Sequence, residues 1–216
     1  NTKQRNMIAA KLHQYTGLPV SYILKANLRI DGGEFEKNLQ DSSDMTTGRL
    51  DTRFSGPTID PLSKDADYDP QAAAISSAYV SAFNDYVRTQ LHYGEGKEYK
   101  AEPEEVNKGW DFVHTPPDAG SPQSIAPNVI PDLSDAMKYN PDLKIMLNAG
   151  YFDLATPYYE GGYEMRHLQI PRALQANIEI KFYHSGHMVY ANQDSLHELH
   201  DNVAAFIRAT DNQAGR

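Results

Sequence analysis

Several residue types and patterns are absent or scarce in this chain of 216 residues. It contains no cysteine, which excludes disulfides, thiolate metal sites and cysteine nucleophiles but does not identify a compartment. The longest uninterrupted apolar run, residues 203–207, is five residues long, whereas a membrane-spanning helix needs about 20. We therefore expect a soluble protein without a membrane partner.

Basic residues are also scarce. The 20 Lys and Arg side chains are outnumbered by 29 Asp and Glu, the net charge is -9, and no basic cluster occurs along the chain. Binding to a phosphate backbone depends on such clusters, because they displace the counterions of the nucleic acid. Nucleic acid is therefore not expected as a partner.

Large aliphatic residues are few for a folded protein. Leu, Ile, Val and Phe make up about 20% of the chain, at the border of compositions typical of disorder. The 14 Tyr residues and one Trp oppose that interpretation. We expect one large domain or two small ones, and the absence of an initiator Met or a signal pattern at the first residues predicts a cut or processed end.

The first part of the chain has a mainly helical pattern. Residues 1–40 predict short helices, with Gly17 and Pro19 as a stop and a restart. Residues 41–71 are rich in Asp, Ser, Thr, Gly and Pro and predict a long connection. Residues 71–93 keep a 3.6-residue apolar period, which predicts a cap or core helix.

Residues 94–128 return to a loop-like composition, in which Trp110 and Phe112 are the predicted apolar anchors. Beyond them helices and strands alternate, a pattern typical of an α/β fold with a parallel sheet. The predicted elements are a helix at 132–139, a strand at 144–148, a helix at 162–176, a strand at 177–183 and a helix at 194–208, capped by Asn192 or Asp194. The last helix is predicted to bury its apolar face, formed by Leu196, Leu199, Val203, Phe206 and Ile207.

Two acid-base side chains follow the two predicted strands. Asp153 comes just after the first and His187 just after the second, and ligands of open α/β sheets bind outside the carboxyl ends of the strands. An Asp that accepts a hydrogen bond from Nδ1–H of a His leaves Nε2 free to take a proton from a nucleophile. The alternative is a capping Asp and an unrelated loop His.

The sequence around these two residues resembles a known family. Residues 147–157, LNAGYFDLATP, and residues 185–190, SGHMVY, resemble the acid and base segments in the C-terminal half of the serine carboxypeptidase family of α/β hydrolases. Residues 48–57 and 82–86 resemble the insertion found in bacterial members. The resemblance implies that residues 126–216 form the C-terminal part of the α/β-hydrolase core, and that residues 1–125 form a mainly helical cap insertion.

The resemblance also implies a mechanism and a substrate class. Catalysis would use a triad in the chain order Ser, Asp, His, with Asp153 orienting His187 and His187 acting as base and then acid, without a cofactor or a metal. The substrate would be a peptide with a free C-terminus. Members of the family are typically secreted or periplasmic. A second copy of the chain, in a homodimer, is one possible partner.

The nucleophilic serine of such a triad is not recognisable. The strained turn that exposes it needs a Gly two residues before the Ser, and none of the 13 Ser residues has one. Ser185 stands beside His187 in the same loop, where it cannot present its hydroxyl to Nε2 without a strained turn. We expect the nucleophile on an N-terminal segment or on a separate chain.

Other functions remain open at this point. His184 with His187, and His197 with His200, are spaced three residues apart, but a catalytic zinc needs three convergent ligands, and His-Glu-x-x-His is not present. Four further histidines have no charged or suitably spaced partner in the sequence: His13, His92, His114 and His167. An esterase or acyltransferase of the same fold, or a non-catalytic hydrolase-like binding module, would fit the same residues.

Overall fold

The computed structural model describes residues 1–117, 119–122 and 127–211. In these residues the helices are α1 (Thr2–Thr16), α2 (Val20–Lys25), α3 (Gly32–Asn38), α4 (Pro70–Thr89), α5 (Glu104–Gly109), α6 (Ile130–Tyr139), α7 (Tyr158–Arg166) and α8 (Gln193–Thr210). The strands are β1 (Met45–Thr47), β2 (Ser55–Pro57), β3 (Ile145–Gly150) and β4 (Ile178–Tyr183). They form two sheets of two strands each, β1 antiparallel to β2 and β3 beside β4.

The chain divides into two compact units that alternate along the sequence. The first comprises Asn1–Ser76, Gly150–Pro157 and Tyr183–Leu196, and the second comprises the intervening segments and the C-terminal residues. The division at residue 125 into a cap and a hydrolase core stays a prediction. Within the described residues, no helix combines the length and apolar content that a membrane crossing requires.

The N-terminal helices of the first unit are confirmed. Gly17 ends α1 with a φ of 77° and donates its N–H to the carbonyl of His13, a left-handed conformation that glycine adopts without a steric penalty. Pro19 precedes the first residue of α2. Ala9, Leu18 and Ile23 are fully or almost fully buried and form the centre of a small core.

The segment predicted as a long connection contains regular structure. A 3-10 turn at Asp41–Ser43 leads into β1, and β1 pairs with β2 from Met45 opposite Pro57 to Thr47 opposite Ser55. The prediction of a continuous loop was therefore wrong here. Strands of three residues are too short to show an alternating pattern in the sequence.

Helix α4 forms as predicted, but much of its apolar stripe is not covered. Tyr79, Phe83 and Tyr86 are 47%, 47% and 53% exposed. Trp110 and Phe112, the predicted anchors of the following loop, are 64% and 56% exposed, so that prediction was wrong. Helical periodicity identifies the apolar face of a helix but not whether another element covers it.

The second unit has its own core. Met137 and Met165 are buried together with Leu168, and apolar side chains of α6, β3 and β4 pack around them. The predicted helix at 162–176 is instead α7 followed by a separate 3-10 helix, Arg172–Asn177. Residues 167–171 separate the two, and the last of them, Pro171, immediately precedes the 3-10 helix and cannot donate a backbone hydrogen bond.

The last helix confirms one of the two predicted caps. The side chain of Asn192 accepts a hydrogen bond from the backbone N–H of Ser195 at 3.0 Å, as an N-terminal helix cap does. The predicted burial along α8 was partly wrong, because Leu196 and Ile207 are 41% and 56% exposed.

Candidate active site

The loop after β3 holds the carboxylate of Asp153 in a fixed position. Its Oδ1 accepts hydrogen bonds from the backbone N–H groups of Ala155 and Thr156, at 2.7 and 2.9 Å. Its Oδ2 accepts a hydrogen bond from the hydroxyl of Thr156 at 2.7 Å. This local arrangement is a turn in which an Asp side chain caps its own loop, and it buries the residue to 5% exposure.

The loop after β4 brings His187 against this carboxylate. His187 Nδ1 lies 2.9 Å from Asp153 Oδ2 and 3.1 Å from the hydroxyl oxygen of Thr156. An ionised carboxylate can only accept hydrogen bonds, so Nδ1 carries the ring proton and donates a hydrogen bond to Asp153 Oδ2. The imidazole is 42% exposed and the Asp153 side chain 3% exposed, so the buried group orients the accessible one.

The other ring nitrogen of His187 is the one that is available to accept a proton. Nε2 of His187 has no hydrogen-bond partner among the described residues, and in this tautomer it is unprotonated. It can therefore take a proton from a hydroxyl, while Asp153 stabilises the resulting imidazolium. The contact expected between the two side chains is present, and their catalytic role stays a prediction.

Backbone contacts align the two loops beyond the ends of the strands. The N–H of Tyr151 donates to the carbonyl of Tyr183 at 3.0 Å, and the N–H of Phe152 donates to the carbonyl of Ser185 at 3.1 Å. Gly150 lies so close to the second loop that a Cβ atom there would overlap the carbonyl oxygen of Ser185. The short distance between the loops therefore depends on glycine at this position.

Ser185 is not placed to act as a nucleophile beside His187. It is 1% exposed, and its hydroxyl is turned into its own loop, 3.4 Å from the carbonyl oxygens of Met188 and Val189. No serine hydroxyl among the described residues bonds to His187; Ser124 lies outside the described residues. The dyad therefore lacks a nucleophile in the part of the chain that the structure describes.

A segment that the sequence did not associate with the site contacts both loops. Residues 49–53 accept or donate backbone hydrogen bonds at Leu154, Phe152 and His187. In the sequence, these residues resemble only a part of an insertion. The contacts join positions about 100 residues or more apart, and no local pattern in the sequence indicates such a pairing.

The other histidines have varied environments. His114 was predicted to have no charged partner, and this was wrong, because its Nε2 lies 3.0 Å from Asp132 Oδ2 in the first turn of α6. His200 pairs with its neighbour Asp201 on the exposed face of α8. His197 is exposed. In the described ranges, no group of three or more His, Asp or Glu side chains could hold a metal ion.

Comparisons with known proteins leave the family open. No protein-family model, no curated protein and no solved structure matches this chain. A functional proposal therefore depends on the geometry of the Asp153 and His187 loops and on the resemblance of their sequences.

Proposed function

We propose that this chain supplies the acid and the base of a Ser-Asp-His hydrolase, and that the complete enzyme is a serine-type carboxypeptidase. The observation that carries the proposal is the 2.9 Å contact between His187 Nδ1 and Asp153 Oδ2, made by a buried carboxylate and an accessible imidazole on neighbouring loops. This is the arrangement that a general base needs when its tautomer must be fixed.

The proposed reaction proceeds through an acyl-enzyme. His187 Nε2 takes the proton of the serine hydroxyl as its oxygen attacks the carbonyl carbon of the last peptide bond. The C–N bond then breaks, and the same Nε2–H protonates the amine of the released C-terminal residue. Water attacks the acyl ester with His187 again as base, which releases the shortened peptide and restores the serine.

Uncovered surface supports the need for a further polypeptide segment that brings the serine. Among the described residues, 23 large apolar side chains are exposed, including Tyr79, Phe83 and Tyr86 along α4. Such an uncovered apolar stripe is typical of a surface that binds another polypeptide. A segment that completes the hydrolase would cover part of this surface.

The resemblance of residues 147–157 and 185–190 supports a carboxypeptidase within the hydrolases. It suggests peptides with a free C-terminus as substrates, a secreted or periplasmic location, and bacterial members of the serine carboxypeptidase family as relatives. An esterase or acyltransferase would use the same dyad, and a non-catalytic binding module would retain its geometry without turnover.

The test is the substitution His187→Ala in the complete protein, with hydrolysis of peptides as the readout. We expect kcat to fall about 10⁴-fold or more, because the serine loses its general base. His197→Ala is the matched control, because His197 is an exposed histidine on α8. The kcat of this variant should equal that of the unaltered protein.

Substrate comparison then separates the alternatives. Peptides with free C-termini should be cleaved much faster than the same peptides with amidated C-termini. Equal rates on both, or hydrolysis of simple esters alone, would favour an esterase. A rate that survives His187→Ala, or a complete protein without any turnover, would reject the proposal.

A further inference from the structure

A short segment between the two small strands β1 and β2 contacts the loop that carries Asp153. We call residues 49–53 the latch. The carbonyl of Arg49 accepts a hydrogen bond from the N–H of Leu154 at 3.0 Å, and the N–H of Thr52 donates to the carbonyl of Phe152 at 2.9 Å. The latch thus binds the residues immediately before and after Asp153.

The latch also contacts the loop that carries His187. The carbonyl of Leu50 accepts a hydrogen bond from the backbone N–H of His187 itself, at 2.7 Å. The guanidinium of Arg53 donates through Nη1 to the carbonyl of His184 at 3.0 Å. Gly186 leaves no room for a Cβ atom between this loop and the backbone of Leu50, so the two segments pack backbone against backbone.

Arg53 is the side chain that joins the two loops. Besides its bond to His184, its guanidinium lies 4.5 Å from the centre of the Phe152 ring. The Phe152 ring in turn contacts the His184 ring edge to face, with 4.9 Å between ring centres. One cation therefore contacts a residue next to Asp153 and a residue three positions before His187.

Asp51 holds Arg53 in this orientation. The Asp51 side chain is 2% exposed, and it accepts hydrogen bonds from Arg53 Nε at 3.0 Å and Nη2 at 2.7 Å. This forked pairing fixes the plane of the guanidinium and leaves Nη1 for His184. The hydrogen bonds to Asp51 also raise the pKa of Arg53.

A second carboxylate fixes the start of the latch. Asp69 Oδ2 accepts hydrogen bonds from the backbone N–H groups of Arg49 and Leu50, at 3.0 and 2.6 Å. Its other oxygen caps the first turn of α4 through the N–H groups of Gln71 and Ala72. Asp69 therefore anchors the first residues of the latch, while Asp51, itself a latch residue, orients Arg53.

We propose that Arg53, oriented by Asp51, is a positioning residue that keeps the Asp153 and His187 loops in the register that the dyad needs. The inference rests on the proposed function, because positioning matters only if the dyad performs chemistry. A purely structural ion pair would need no contact with both loops, whereas Arg53 contacts each of them. A displacement of about 1 Å between reacting groups can reduce a rate about 100-fold.

The first measurement needs no activity and uses the 216-residue chain itself. The chain is labelled with ¹⁵N-histidine, and the signals of His187 are assigned by their loss in His187→Gln. The Nδ1–H proton of His187 should give an NMR signal that exchanges slowly with water, because it is hydrogen-bonded to Asp153. Arg53→Ala and Asp51→Asn should broaden or abolish this signal. Arg53→Lys, which keeps the charge but cannot form the fork, should weaken it.

Arg49→Ala is the matched control for this experiment. Arg49 belongs to the same segment and is exposed, and it contacts the Asp153 loop through its backbone carbonyl only. Its substitution should leave the His187 signal unchanged. Thermal unfolding of every variant identifies any that does not fold, and Arg53→Lys decides the result if Arg53→Ala is unfolded.

The second measurement is steady-state kinetics of the complete protein. Arg53→Ala should lower kcat about 10- to 100-fold with little change in KM, because the substrate does not contact Arg53 in this proposal. A His187 signal and kcat that are insensitive to Arg53→Ala and Arg53→Lys would overturn the inference, even where His187→Ala is inactive. An Nδ1–H signal that depends on Arg53 in a protein that hydrolyses nothing would overturn the proposed function and leave the geometric role of Arg53 intact.

Discussion

At the scale of single residues, buried carboxylates in the first unit differ in the number of hydrogen bonds that their oxygens accept. Asp153 accepts hydrogen bonds from the backbone of its own loop and from His187. Asp51 accepts hydrogen bonds from the guanidinium of Arg53. Glu36 on α3 is 4% exposed, and its Oε1 has no hydrogen-bond partner among the described residues. A carboxylate in such a position is costly to ionise.

The unsatisfied position of Glu36 predicts a dependence of stability on pH. Burial, assisted by the negative charges of Asp69, Asp31 and Asp65 and opposed by Arg49, raises the pKa of Glu36 from 4.5 to about 7. Between these two values the unfolded chain binds fewer protons at this carboxyl than the folded chain does. The free energy of unfolding therefore falls as the pH rises through this window, by about 3 kcal/mol at most.

The substitution Glu36→Gln removes this titration. Urea unfolding at pH 5 and pH 8 should show a smaller loss of stability with rising pH in the variant than in the unaltered chain. Glu198→Gln, on the exposed face of α8, is the control and should leave the loss unchanged. Equal losses in all three proteins would show that Glu36 ionises at its ordinary pKa.

At the scale of elements, the candidate site depends on two loops and a latch that approach one another at glycines. Gly150 faces the carbonyl oxygens of the His187 loop, and Gly186 faces the latch. The apolar residues of β3 and β4 contribute to the core of the second unit, so the strands are held by packing. The loops are held by backbone hydrogen bonds that any side chain at these glycines would disturb.

Gly186→Ala should separate the latch from the His187 loop. The added Cβ atom would overlap the carbonyl oxygen of Leu50 and the Cβ atom of Asp51, which predicts a loss of about 3 kcal/mol in the free energy of unfolding. It should also weaken the Nδ1–H signal of His187. Gly109→Ala is the control, because a Cβ atom there meets nothing within 4 Å, and an equal effect of the two substitutions would argue against the close contact.

At the scale of the whole molecule, the chain has little buried apolar surface for its length. Eight hydrophobic residues are buried among the described residues, while 23 large apolar side chains are exposed. Scattered exposed apolar residues are normal, but uncovered stripes such as that of α4 are more typical of surfaces that bind another polypeptide. This imbalance agrees with the proposal that a further segment completes the enzyme.

Labelling with an organophosphonate tests whether the nucleophile comes from outside this chain. Residues 1–216 alone should not form a stoichiometric adduct, because no exposed serine of the described residues is activated by His187. The complete protein should be labelled at one serine outside this range, and His187→Ala should suppress that labelling. An adduct on the isolated chain, located by peptide mass spectrometry, would identify a nucleophile here and disprove the need for a second segment.

Local patterns in the sequence predicted much of the secondary structure. The short helices at the N-terminus, α4, α6, α8 and the strands β3 and β4 were recognisable because their periodicity and caps are properties of neighbouring residues. The paired strands β1 and β2 were missed because they are too short, and the exposure of Trp110, Phe112 and Leu196 was missed because burial depends on distant elements. Asp153 and His187 could be selected because each follows a predicted strand.

The sequence by itself determined which groups of this protein can perform acid-base chemistry, since residue type and position after a strand are local properties. Only the tertiary structure decided that Asp153 contacts His187, that the hydroxyl of Ser185 is turned away, and that Arg53 and Asp51 join the two loops. The contact between Asp153 and His187 joins residues 34 positions apart, and that between Arg53 and His184 joins residues 131 positions apart. Their geometry follows from strand pairing and the close approach of glycine backbones, which no local pattern of residues encodes.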